Sequence, residues 1–206
     1  DAGYAFVINM ADIDKNGNTE KILENIKNWE KLRISGSFTE TQKEMMRDAS
    51  KEFSLSLAGE NQWSLQEVNA EVLKHEKKAL QPGQPLYSTL EFENIGQAQT
   101  LNFILSAEDC DASDLTLEIN NYKKVALPVG LKQGQKLKYT GGDTMILYDA
   151  NWQVMDELSI NPADFAIAEG DNTINLDCTF DQAGKDAFAR LEVRTMGEAS
   201  PVALKE

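Results

Sequence analysis

The sequence predicts a mainly β protein: an antiparallel two-sheet sandwich preceded by a helical hairpin and a short β-hairpin. Three observations predict it. The apolar period is near 3.6 over residues 19–52 and changes to 2 from residue 53. Beyond residue 85, seven to nine short apolar-alternating runs recur at about ten-residue intervals. No helical pattern interrupts them, which points to a sandwich.

The opening run "YAFVINM" reads as a buried strand. It leads through "ADIDKNGNTE" into "TEKILENIKNWEKLRI", where Ile22, Ile26, Trp29 and Arg33 lie on one helical stripe beside Leu23. Asn18 or Thr19 caps that helix, Glu20 suits its positive end, and Gly36 closes it. A second helix starts at "SFTETQKEMMRDASKEF", with Thr39 and Gln42 spaced as a capping box. Phe53, Leu55 and Leu57 then share a strand face, "AGENQ" turns, and Trp63 and Leu65 return in phase. The charged stretch "NAEVLKHEKKALQPGQP" reads as a connector broken by Pro82, Gly83 and Pro85. This divides the chain into residues 1–80, strand, helices and hairpin, and residues 81–206, the sandwich.

Within the sandwich, "LYSTLEFENI" and "TLNFILSA" flank the turn "GQAQ", and Leu115, Leu117 and Ile119 alternate before a turn at "NN". "TMILYD" and "WQVMDELSI" are joined by a tight turn at "AN". Ile174, Leu176, Cys178 and Phe180 share one face of "TINLDCTF", and Ala189, Leu191 and Val193 one face of the last strand.

Composition narrows the function. The net charge of −14 repels phosphate backbones and anionic lipid, so nucleic-acid and membrane-surface roles are not expected. No apolar run reaches the roughly 18 residues of a membrane span. Two cysteines and one histidine are too few for a zinc finger or ribbon. Ser-His-Asp or Cys-His chemistry would have to run through His75, which carries no nucleophile signature nearby. No glycine-rich phosphate loop is present.

Two stretches carry candidate sites. Asp12, Asp14, Asn16 and Asn18 alternate around Gly17 like the first half of a calcium loop, but position 12 is Leu23 where a bidentate glutamate belongs. The plainer reading is a strand-to-helix loop with a capping end; no cofactor other than calcium is suggested. The same strand, loop and helix also read as one βα unit of a larger barrel, whose active site would lie in such loops. In the sandwich, Tyr139, Tyr148 and Trp152 with Asp143, Asp149 and Asn151 have the composition of a sugar site: flat faces for C–H-rich sugar surfaces, oxygens and amides for hydroxyls. The plainer reading there is cross-strand packing of Tyr148 and Trp152 around turn residues 149–151.

The pattern Gly170-x-Asn172-x-Ile174 at a strand entrance resembles the late strands of galactose-binding-like jelly rolls, accessory domains of glycoside hydrolases. The first half, "ENIKNWEKLRISGSFTETQKEMM" followed by "WSLQEV", is similar to linker regions in polysaccharide-degrading enzymes of gut Bacteroidetes. The resemblance implies a jelly-roll topology, an extracytoplasmic (periplasmic or cell-surface) setting and a glycan-related role. It carries over no catalytic residue. The expected function is therefore a non-catalytic accessory or carbohydrate-binding module. The alternatives are the C-terminal part of a glycoside hydrolase, with a catalytic domain elsewhere in a longer chain, or a structural protein-interaction domain.

Overall fold

Alternation organises much of the chain: Leu115, Leu117 and Ile119, and likewise Ala189, Leu191 and Val193, are apolar, buried and two residues apart. The computed structural model describes residues 38–58, 62–78, 82–181 and 186–202. It is mainly β. In chain order the elements are helix α1 (Glu40–Met46), β1 (Glu52–Ala58), β2 (Gln62–Glu76), β3 (Ser88–Asn94), β4 (Gln99–Thr100), β5 (Asn102–Glu108), β6 (Asp111–Ile119), β7 (Lys123–Ala126), β8 (Lys136–Tyr139), β9 (Thr144–Tyr148) and β10 (Val154–Ser159). A 3₁₀ turn (Pro162–Phe165), β11 (Ala166–Ile167), β12 (Gly170–Asp181), β13 (Phe188–Met196) and β14 (Ser200–Val202) follow. Two compact units result, one taking in the described residues up to Asn69 and from Met196 onward, the other Ala70–Thr195. The boundary read from the sequence lies near residue 80; that between the units falls within β2.

In the first unit, β1 and β14 each pair antiparallel with β2. Leu55 lies opposite Leu65 and Leu57 opposite Trp63, the hairpin phase expected from the sequence. Phe38, Trp63, Leu65 and Val202 form a small core, with Met46, Phe53 and Leu55 against it. The capping box at α1 is present: Gln42 N donates to Thr39 Oγ1 (3.1 Å) and Thr39 N to Gln42 Oε1 (2.9 Å). The helix is shorter than expected, because Asp48 Oδ1 accepts from both Ser50 N and Ser50 Oγ and turns the chain toward β1. The helix expected before it, over residues 19–35, lies outside the described residues.

In the second unit, strands run β2-β13-β5-β8-β9-β10 in one sheet and β3-β12-β6-β7 in another, with β4 and β11 as a two-stranded ribbon. Phe103, Leu105, Leu137, Met145, Leu191 and Val193 from the first sheet and Phe92, Leu115, Leu117, Ile119, Ile174 and Leu176 from the second join one buried cluster. Two antiparallel sheets sharing one core are consistent with a β-sandwich. Of the stretch expected as a connector, residues 69–85, the first part, residues 69–76, is instead the second half of β2. Its alternation is carried by Leu73 and His75, both buried, between exposed Val72, Lys74 and Glu76. A histidine in an inward position and charge in the outward ones hide a strand from an apolar-pattern reading.

Buried amides close the end of this unit. Gly170 takes φ +81°, where only glycine is unstrained. Asn172, two residues on, donates to Ala168 O (2.9 Å) and Gly170 O (2.8 Å) and accepts from Ala168 N (3.2 Å) and Asn120 Nδ2 (3.0 Å). Asn94 donates to the same Ala168 O (2.8 Å) and to Gln97 O (2.9 Å), and accepts from Gly96 N and Gln99 Nε2. Each amide fills its full complement of two donors and two lone pairs. Ile174 completes the motif at zero exposure. Replacing Asn172 by Ala orphans several buried groups at once, so Asn172→Ala should lower the unfolding free energy by about 2–4 kcal/mol. Urea denaturation checks this; a loss under about 0.5 kcal/mol would contradict it.

Candidate functional site

The sequence-nominated aromatics separate in the fold. Tyr139 lies inward on β8 with zero exposure; its ring packs on Phe103 (5.8 Å) and Phe165 (5.0 Å), and its hydroxyl donates to Gly142 O at 2.8 Å. Burial raises its pKa, with the Asp143 carboxylate acting the same way. Tyr148, Asp149, Asn151 and Trp152 are brought together at the β9–β10 turn. Tyr148 is buried, and Trp152 meets its ring edge-on at 5.3 Å and 64°.

The turn is longer than the tight two-residue turn expected at "AN". Trp152 N donates to Asp149 O (3.2 Å) and Asp149 N to Gln153 O (3.0 Å), enclosing Ala150, Asn151 and Trp152. The reason is Asp149: its Oδ1 accepts from Asn151 N (2.8 Å) and Gln153 N (2.9 Å), which fixes a three-residue loop. The third loop residue must then take the left-handed conformation, usually reserved for Gly or Asn. Here it is Trp152, at φ +62°. A bulky side chain in that region costs roughly 1–2 kcal/mol. Asn151 is exposed and Trp152 half-buried beside it.

Lys136, which the sequence reading did not single out, completes the arrangement. It lies opposite Tyr148 in the β8–β9 register, and its Nζ donates to Gly134 O (3.2 Å) and Ala150 O (3.1 Å) while standing 5.0 Å from the Trp152 ring centroid. Met155, also unflagged, is 54% exposed just beyond the loop, with Gln135 Nε2 3.1 Å from its sulfur. Only the period-2 phase of "KLKY" against "TMILY" carries a sequence signal for Lys136. The assembled turn presents one fixed indole, an exposed amide and a carboxylate.

No protein-family model, curated protein or solved structure matches this chain. The chemistry of the turn therefore rests on its own geometry. What the turn offers is a half-buried indole beside an exposed amide and a carboxylate.

The remaining candidates lie elsewhere. Asp12, Asp14, Asn16 and Asn18 lie outside the described residues. Among the described residues, no three His, Cys, Asp or Glu side chains are placed to hold a metal ion, and no helix is long and apolar enough to cross a membrane. His75 Nδ1 is 2.8 Å from Ser88 Oγ, but Asp177 makes no hydrogen bond to the ring, so no oriented triad forms. Cys110 and Cys178 are free thiols against the sandwich core. Burial pushes Cys178 up to about 12 and raises Cys110 as well. At pH 8 both should resist a disulfide reagent such as 5,5′-dithiobis(2-nitrobenzoate) in the folded protein and react fully in denaturant. Rapid labelling of the folded protein would show that the thiols are not held in the core.

Proposed function

We propose that the chain is a non-catalytic accessory module of jelly-roll type that binds glycan through the β9–β10 turn, with Trp152 as the stacking platform and Asp149 and Asn151 facing the hydroxyls. The observation that supports this reading is Trp152 itself. A tryptophan occupies a left-handed loop position that glycine would fill without strain, and such outliers concentrate at functional sites. The resemblance of Gly170, Asn172 and Ile174 to galactose-binding-like domains supports the same class. It adds an extracytoplasmic setting among Bacteroidetes polysaccharide-degrading enzymes, with catalysis supplied by a separate domain. A neutral or weakly charged polysaccharide fits a protein of net charge −14 better than a polyanion does.

Trp152→Gly tests the reading, because its stability terms oppose one another. Glycine relieves about 1–2 kcal/mol of backbone strain. It loses an edge-on aromatic contact of about 0.5–1.5 kcal/mol and a cation–π contact of about 0.5–1 kcal/mol. The thermal midpoint should therefore move by no more than a few degrees, while retardation in glycan-containing affinity gels is abolished. Glycans that retard the variant as strongly as the parent would remove Trp152 from the site. A parent protein that no glycan retards, on gels or arrays, would overturn the proposal and leave a protein-interaction role.

A further inference from the structure

The chain has a single histidine, and the fold places it where its charge state matters. His75 points inward from the second half of β2 and is 2% exposed. It spans the gap between the two sheets of its unit. The imidazole stacks on Phe180 of β12, with centroids 5.5 Å apart and planes at 22°. Its Nδ1 is 2.8 Å from Ser88 Oγ at the start of β3. Leu73, two residues earlier, carries the same face of β2 into the core.

We propose that His75 is an acid trigger: protonating its imidazole loosens the seam at which β2 meets β3 and β12. The groups around the ring suit it to the neutral form. The aromatic stack and the Ser88 hydroxyl are uncharged. From β12 the charged group acting on it is Asp177, through space and without a hydrogen bond, and from the chain just after β2 it is Lys78. A buried imidazolium here would gain no direct carboxylate partner, and burying an unpaired charge is costly. The Nδ1–Ser88 contact also changes character. A neutral ring can accept from the hydroxyl or donate to it, whereas the cation can only donate.

Burial holds the pKa below its ordinary value of 6.5; Asp177 pulls it back in part, and Lys78 adds to the depression. The sign follows from linkage. An imidazole whose folded pKa is depressed stabilises the protein above the unfolded value, and that stability is lost as pH falls through the folded pKa. The seam is thus closed at pH 7 and weakened in mildly acidic surroundings, without any carboxylate having to titrate.

Two measurements decide it. The single imidazole gives one histidine Cε1–H resonance, so its titration in the intact protein is read directly by proton NMR; a midpoint clearly below 6.5 is expected. Thermal unfolding of the parent and His75→Phe is then compared from pH 7.5 to pH 4.5, phenylalanine keeping the stack on Phe180 without the titration. The parent should lose roughly 3–5 °C relative to the variant for each unit by which the folded pKa is depressed. Parallel curves for the two proteins, or an imidazole titrating at 6.5 or above, overturn the trigger. If His75→Phe fails to fold, the imidazole titration of the parent decides alone.

Discussion

The backbone N–H and C=O of one residue, Ala168, are the point on which the end of the second unit depends. Its carbonyl accepts from two buried amides, Asn94 at the end of β3 and Asn172 at the start of β12, and its N–H donates to Asn172. Asn94 and Gly170 are register partners, so the two amides clamp the mouth of the β3–β12 ladder from both sides. Asn120 extends the clamp to the β6–β7 turn, donating to Asn172 and accepting from Thr173 N at 2.8 Å. Buried polar networks stabilise only when every member is satisfied. Here Asn94 and Asn172 are filled, which fixes register where hydrophobic packing alone would tolerate a slip.

The clamp also explains the backbone conformations around it. Asn120 and Asn121 stand at φ +52° and +58°, which asparagine tolerates, and both side chains are committed to β12, Asn121 accepting from Asn175. Gly170 needs its positive φ to bring Asn172 back over Ala168. At these positions local preference and global fold agree, as expected of a sequence that specifies one structure. Trp152 is the exception. Its loop is just as well fixed, by Asp149, yet the residue in the left-handed position opposes its own backbone. The contrast within one unit is between a left-handed conformation that the residue itself tolerates and one that it opposes.

Much of this was legible beforehand. The strands at 88–94, 102–108, 111–119, 144–148, 170–181 and 188–196 follow apolar alternation, and the Thr39–Gln42 box marked the start of α1. The pattern around Gly170 was visible as a motif, but its meaning was not. That Asn172 also binds Asn120 depends on a residue 52 positions away, a long-range fact that no local pattern encodes. The second half of β2 was missed because its inward histidine and outward charges imitate a solvated connector. Tyr139 and Tyr148 looked alike in sequence, yet strand phase separates them. Tyr139 shares the inward face of Leu137, while Tyr148 lies opposite Lys136 on the other face. Phase relative to the core, not residue type, decides which side of the sheet each ring takes, and both rings are buried.

Charge placement carries the last step. The outward positions of β3, β12 and β6 bring Glu91, Glu93, Asp171, Asp177 and Glu118 onto one sheet face, with Lys124 opposite Glu118. On the other sheet, Glu192 of β13 stands between Arg190 (3.0 Å) and Arg194 (2.6 Å). Burial would raise the Glu192 carboxyl, but the two guanidiniums outweigh it and hold it below the usual range. That strand's charges are therefore satisfied internally, and the acidic face suits solvation rather than recognition of a polyanion. The strained left-handed Trp152 lies at the β9–β10 turn, where the loop fixed by Asp149 holds its half-buried ring against Tyr148.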